Sequence, residues 1–146
     1  MDNLNIFLNN LNQLEQNIKP LWGKMTPQHM IEHLIMAVKM GNGKLSVNCF
    51  SPEDRLPILK KILLSERPLP HNFINPIIGE DLLPLEFDSI DTAKQKLADE
   101  IKDYYKYFEE NPKAILTNAT FGNLNKHEWD VFHRKHFTHH LAQFGL

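Results

Sequence analysis

Eight histidines are spread over the 146 residues of the chain, and four of them lie in its last fourteen residues, HRKHFTHHLAQFGL. Imidazole is a common metal ligand, and it also acts as an acid or base near neutral pH. Histidines four residues apart on a helix project from one face, one turn from each other, so His136 and His140 could bind one metal ion together. Two ligands alone seldom make a metal site, and a third must come from another part of the fold.

His33 is the candidate third ligand. On a helical wheel of its segment it shares one side with a set of mostly apolar residues, namely His29, Met30, Met36, Ala37 and Met40. An imidazole without a partner would be costly on such a face. Together with His136 and His140 it would form a three-histidine site with at least one open position, as in catalytic zinc centres. A core histidine satisfied by a hydrogen bond is the alternative for His33 taken alone.

The other histidines are separated by their positions on the predicted helices. The wheel of the last helix has one core-facing side, which carries Trp129, Phe132, His133, His136, His139, His140 and Gln143. His139 and His133 are the candidate catalytic residues, as general bases or as hydrogen-bond donors to the ligands, and rim residues are the alternative. His29, in the first turn of its helix, is an alternative ligand or a rim residue. Surface positions are predicted for His71 and His127.

Five helices are predicted from apolar residues that recur at spacings of three and four, with N-cap signals at Thr26, at Ser51 and in the Asn125/Glu128 capping box. The predicted ranges are about 4–18, 26–41, 51–64, 91–110 and 125–143. Residues 65–90, rich in proline and apolar residues, are predicted to form an ordered loop laid over the core. Residues 111–124 are also predicted to be loop, and 44–50 is the best strand candidate. The predicted fold is all-α: one domain, 1–146, forming an antiparallel four-helix bundle with a short extra helix.

Composition limits the classes of function. The formal net charge of -2 gives no electrostatic reason to expect a nucleic acid or an anionic membrane as partner. Cys49 is the only cysteine, so an internal disulfide and a cysteine-rich metal site are both excluded. No apolar run approaches the roughly 18 to 20 residues that span a bilayer, and the first ten residues lack the basic start and apolar core of a secretory signal. The prediction is a cytoplasmic protein.

Three stretches of the sequence resemble the DinB-like (damage-inducible) superfamily: KPLWGKMTPQHMIEHL at 19–34, TFGNLNKHEW at 120–129 and KHFTHHLAQFG at 135–145. They are most similar to a small bacterial branch of uncharacterised function that ends in a His-His-Leu-x-Gln-Phe-Gly motif. The resemblance implies a four-helix bundle that holds a divalent metal ion, zinc or nickel, at the positions occupied here by His33, His136 and His140. Dimers are common in the superfamily, so a homodimer is an expected assembly.

The resemblance also implies a range of activities. Some members of the superfamily transfer low-molecular-weight thiols such as bacillithiol or mycothiol, and others are metal-dependent isomerases or hydrolases. The predicted function is therefore a metal-dependent thiol S-transferase acting on a small molecule, with a hydrolase or isomerase second. A non-enzymatic bundle that binds a small ligand or a metal is the alternative. A role on DNA is suggested only by the superfamily's name, and the acidic balance of the chain speaks against it.

The sequence departs from the branch at three positions. Asn118 and Ala119 stand where the branch often has His-Pro, and Ala142 stands where it often has Arg. Substrate contacts made by that His and that Arg are therefore not predicted for this chain. The three proposed metal ligands are unaffected.

Overall fold

The structure is a computed structural model that describes residues 3–71 and 82–146. These residues are mostly helical, as the all-α prediction requires, and they include one two-stranded hairpin. The α-helices are α1 (Asn5–Asn12), α2 (Pro27–Gly41), α3 (Leu56–Leu64), α4 (Ile90–Glu110) and α5 (Lys126–Ala142), with a short 3-10 helix, Glu53–Arg55, directly before α3. Strands β1 (Leu116–Asn118) and β2 (Gly122–Leu124) form an antiparallel hairpin.

The capping signals set the starts of the two helices that carry the candidate ligands. The Thr26 side chain accepts a hydrogen bond from the His29 backbone N–H, and Pro27 occupies the first helical position of α2. At the start of α5, Asn125 and Glu128 form the predicted capping box, each side chain accepting from the other residue's backbone N–H. Both predicted starts are confirmed.

Helix α1 is shorter than predicted, and a lysine of a distant helix binds backbone carbonyls at its C-terminal end. Lys94 Nζ lies 2.7 Å from the carbonyl oxygen of Leu14 and 3.5 Å from that of Asn12. The helix ends at Asn12, although Leu14 is still buried in the core.

The strand prediction was wrong. Residues 44–50 contain no strand, and the hairpin lies instead in 111–124, which was predicted to be loop. Asn118 Oδ1 accepts hydrogen bonds from the backbone N–H groups of Thr120 and Phe121, and Gly122 adopts a positive φ of 77°, so the chain reverses tightly. The predicted cap at Ser51 was also wrong, since its hydroxyl donates to the Thr120 carbonyl.

The helices pack around one core. Helices α1 and α2 each contact both α4 and α5, and α3 packs against α5. The largest fully buried side chains are Trp129, Tyr104, Phe108, Phe137, Leu11, Leu14, Met30, Ile31, Leu34, Leu63, Leu97 and Ile101. Of the predicted 65–90 loop, residues 65–71 and 82–89 contain no helix or strand, residue 90 already belongs to α4, and 72–81 lie outside the described residues. Among the helices that the structure describes, none combines the length and the apolar character needed to cross a membrane.

Candidate metal centre

Helices α2 and α5 bring three histidine side chains to one buried point. His33 Nε2 lies 2.9 Å from His136 Nε2, and His140 Nε2 lies 3.0 Å from the same atom. The ligand atoms of the three residues all lie within 4.8 Å of one another, and the exposed fraction of each side chain is 5% or less. These are the three residues that the helical wheels selected, and they could hold a metal ion.

The donor set fits a zinc-like ion. Zinc binds imidazole nitrogen at about 2.0–2.1 Å, which places two ligands of a tetrahedral site about 3.3 Å apart. The two shorter nitrogen–nitrogen distances, 2.9 and 3.0 Å, lie close to that separation. Three protein ligands leave a fourth position for water or substrate, as in catalytic rather than structural zinc sites.

Burial keeps these imidazoles in the form that binds a metal. It lowers the pKa of His33 to about 4, with a smaller contribution from the charge of His139. Burial, followed by the neighbouring histidines, also lowers the pKa of His136 and of His140 well below the ordinary value. The three rings are therefore neutral at neutral pH, and neutral imidazole is the metal-binding form.

Gln143 orients one of the ligands. His140 Nδ1 lies 2.6 Å from Gln143 Oε1, three residues further along α5. Since the amide oxygen can only accept, Nδ1 carries the proton, and the lone pair of His140 Nε2 is directed toward the other two histidines. Gln143 was placed on the inward face by the wheel but was given no role; its spacing of three from His140 was the available signal.

The orienting role of Gln143 predicts a specific effect on metal affinity. Gln143→Ala should weaken zinc binding about 10- to 100-fold, because residues that hydrogen-bond a metal ligand typically have effects of that size. Gln143→Glu should instead keep the wild-type affinity for zinc, since a carboxylate also accepts a hydrogen bond from His140 Nδ1. Competition for zinc against a chromophoric chelator measures both values. Equal loss of affinity in the two variants would show that Gln143 acts only through packing.

His133, one of the two predicted catalytic residues, lies within an aromatic part of the core. It is fully buried, and its ring packs edge-on against Tyr104 and obliquely against Trp129. Neither ring nitrogen has a hydrogen-bond partner among the described residues, and burial lowers its pKa to about 3. It does not line either of the two cavities that the other inward histidines border, so its catalytic role stays a prediction.

His139, the other predicted catalytic residue, lies between the histidine cluster and a cavity of about 650 Å³. The centroid of its ring lies 4.9 Å from that of the His140 ring, and the ring packs edge-on against Trp22. Burial, then the charge of His71, lowers its pKa.

The two histidines that were predicted to lie at the surface are both exposed. The His71 ring stacks on Trp22, and His127 lies in the first turn of α5, so the surface positions predicted for these two are confirmed.

His29, the alternative ligand, is not part of the histidine cluster. Its Nδ1 lies 2.6 Å from the Thr26 hydroxyl, and its ring lines a cavity that His33 also lines.

Of the departures from the branch pattern, Asn118 is buried and holds the hairpin turn, which is a structural role. Ala142 borders the cavity next to His139.

Comparison of the chain with protein-family models, with curated proteins and with solved structures finds no match. The resemblance to the DinB-like superfamily therefore stays a prediction. The case for a metal centre depends on the geometry of His33, His136 and His140 alone.

Proposed function

We propose that this protein is a divalent-metal-dependent enzyme, a thiol S-transferase that acts on a small molecule. The observation that supports it best is the convergence of three buried, neutral imidazole nitrogens from two separate helices. Zinc or nickel is the proposed ion, since both accept imidazole ligands readily. The proposal includes membership of the DinB-like superfamily and assembly as a homodimer.

The proposed fold is a four-helix bundle of α1, α2, α4 and α5. Each of α1 and α2 packs against both α4 and α5, which supports a closed ring of four helices. Metal sites in such bundles are built from inward residues of facing helices. His33 on α2 and His136 and His140 on α5 satisfy that condition.

The chemistry follows from the open position and from the residues around it. A bound divalent metal ion lowers the pKa of a thiol or water beside it, so that a nucleophile forms at neutral pH. His33, His136 and His140 would hold the ion, Gln143 orients His140, and burial excludes bulk water. His139 is better placed than His133 to accept the thiol proton, because its ring is next to His140 and also lines a cavity.

A test begins with metal content. Untagged protein should contain about one zinc or nickel ion per chain, as three protein ligands bind one ion. His33→Ala should lose the ion, whereas His127→Ala, at an exposed histidine, should keep it. Protein that is isolated without metal and cannot be loaded with zinc or nickel would refute the proposal.

Activity assays then distinguish a thiol transferase from a hydrolase. A panel of low-molecular-weight thiols is tested with chlorodinitrobenzene; sulfur forms a bond to the ring carbon, chloride leaves with its electron pair, and the thiol proton passes to a base. We expect metal-dependent turnover that His33→Ala abolishes. Metal-dependent cleavage of a nitrophenyl ester without thiol transfer would point to a hydrolase, and no turnover of either probe would favour a non-enzymatic metal-binding protein.

A further inference from the structure

A cavity of about 330 Å³ adjoins the histidine cluster on the α2 side. His33 belongs to both, since it lines the cavity and contributes one of the three converging nitrogens. The other described residues that line it are Met25, His29, Glu32, Met36, Leu82, Leu83, Pro84, Leu85 and Glu86. A volume of this size is within the range that small-molecule ligands occupy.

The lining is apolar and acidic. Two methionines, three leucines and a proline supply most of it, and Leu82, Leu83 and Leu85 keep between 37% and 45% of their surface exposed. Among the described residues of the lining, the charged ones are Glu32 and Glu86, and none is a lysine or an arginine. An anionic ligand would therefore meet carboxylates without a cation to pair with, whereas an apolar ligand would bury exposed leucine surface.

Two side chains of α2 hold the outer wall of the cavity in place. The Glu32 carboxylate accepts a hydrogen bond of 2.7 Å from the backbone N–H of Glu86 and a longer one, 3.4 Å, from that of Phe87. Gln28 Nε2 donates to the Phe87 carbonyl at 2.7 Å and to Glu32 at 2.9 Å. The carboxylate of Glu32 is thus occupied with positioning the chain.

One polar group of the lining is suited to orient a ligand. His29 Nδ1 is hydrogen-bonded to the Thr26 hydroxyl at 2.6 Å, which fixes the ring, and no described residue hydrogen-bonds its Nε2. Few polar groups in an otherwise apolar wall are typical of sites that bind a small, mainly apolar molecule.

We infer that this cavity binds an apolar, uncharged part of the substrate and brings the reacting group of that molecule to the metal held by His33. The inference rests on the proposed function, because it names the substrate class of the same centre. The substrate is then an alkyl or aryl compound without a carboxylate, sulfonate or phosphate on the part that enters the cavity.

Two fluorescent probes of nearly identical shape test the charge preference. N-phenylnaphthylamine is neutral, and anilinonaphthalene sulfonate adds one negative charge to the same rings. In metal-free protein we expect saturable binding of the neutral probe and binding of the sulfonate at least tenfold weaker. No saturable binding of the neutral probe, or equal affinity for both, would overturn the inference.

A matched pair of variants assigns the binding to this cavity. Leu85→Glu adds a carboxylate at the cavity wall, where the side chain is 45% exposed, and should weaken binding of the neutral probe at least tenfold. Ile115→Glu makes the same change at a 56% exposed residue that lines none of the described cavities, and should leave binding unchanged. The same effect in both variants would place the probe elsewhere and refute the inference.

Competition by thiols, with and without zinc, tests whether a ligand in the cavity reaches the metal site. Butanethiol and mercaptopropionate carry the same reacting group on bodies of similar length, one neutral and one anionic. We expect butanethiol to displace the neutral probe from zinc-loaded protein at a concentration at least tenfold lower than from metal-free protein, and mercaptopropionate to be the weaker competitor. Absence of any zinc effect would refute the connection. Failure to bind zinc with probe binding intact would instead refute the proposed function.

Discussion

Zinc at a hundredfold excess over its dissociation constant should raise the free energy of unfolding of the wild-type protein by about 2.7 kcal/mol, and His136→Ala should abolish this gain. His136 is the central ligand, because its Nε2 lies 2.9 Å from that of His33 and 3.0 Å from that of His140. Its loss leaves two donors, which seldom hold zinc. Urea unfolding of chelator-treated protein, with and without added zinc, measures the gain.

The matched control is a histidine on the same helix outside the cluster. His127 lies in the first turn of α5 and is exposed, so His127→Ala should retain the full zinc effect. An equal gain in His136→Ala and wild type would show that zinc binds elsewhere on the chain.

Acid should destabilise the metal-free protein strongly. Burial lowers the pKa of His33 to about 4 and that of His133 to about 3, from the ordinary 6.5. Between the ordinary pKa and these lower values, the unfolded chain binds protons that the folded chain does not, so the free energy of unfolding falls as the pH falls. The stability that these buried, neutral rings contribute is thus fully present above about pH 6.5. It is lost progressively as the pH falls from there through the lowered pKa values of about 4 and about 3. For each such histidine the loss between pH 7 and pH 5 is about 2 kcal/mol.

His133→Leu isolates one part of this effect. The variant removes a buried titratable ring, so its free energy of unfolding should decrease about 2 kcal/mol less between pH 7 and pH 5 than that of wild type. The change in absolute stability is irrelevant, since the readout is the difference between the two pH values. Phe108→Leu, a core substitution at a buried ring that packs against Tyr104 and Tyr107, should retain the wild-type pH dependence. An unaltered pH dependence in His133→Leu would contradict the argument.

Much of the candidate site could be predicted from the sequence because its determinants are local. A spacing of four on one helix brings His136 and His140 to the same face whatever surrounds them. The capping box at Asn125 and the Thr26–Pro27 start depend on residues within one turn, so the two ligand-bearing helices begin where predicted. His33 was found from its position in an apolar stripe, which is also a local property.

Other features depend on contacts between residues distant in the sequence, and the sequence pattern carried no signal for them. Lys94 binds two carbonyls at the C-terminal end of α1 that are 80 and 82 residues away in the sequence. The Glu32 carboxylate accepts a hydrogen bond from the backbone N–H of Glu86, and that contact positions one wall of the cavity beside the histidine cluster.

His133 and His139 show the same limit within one helix. Both face inward on the wheel, as predicted, yet His133 is enclosed by aromatic rings and His139 lines a cavity. The sequence by itself determined which side of α5 each imidazole occupies and which three could meet at a metal ion. Only the tertiary structure decided what lies opposite each ring, because periodicity fixes the direction of a side chain, whereas its surroundings depend on the packing of other elements.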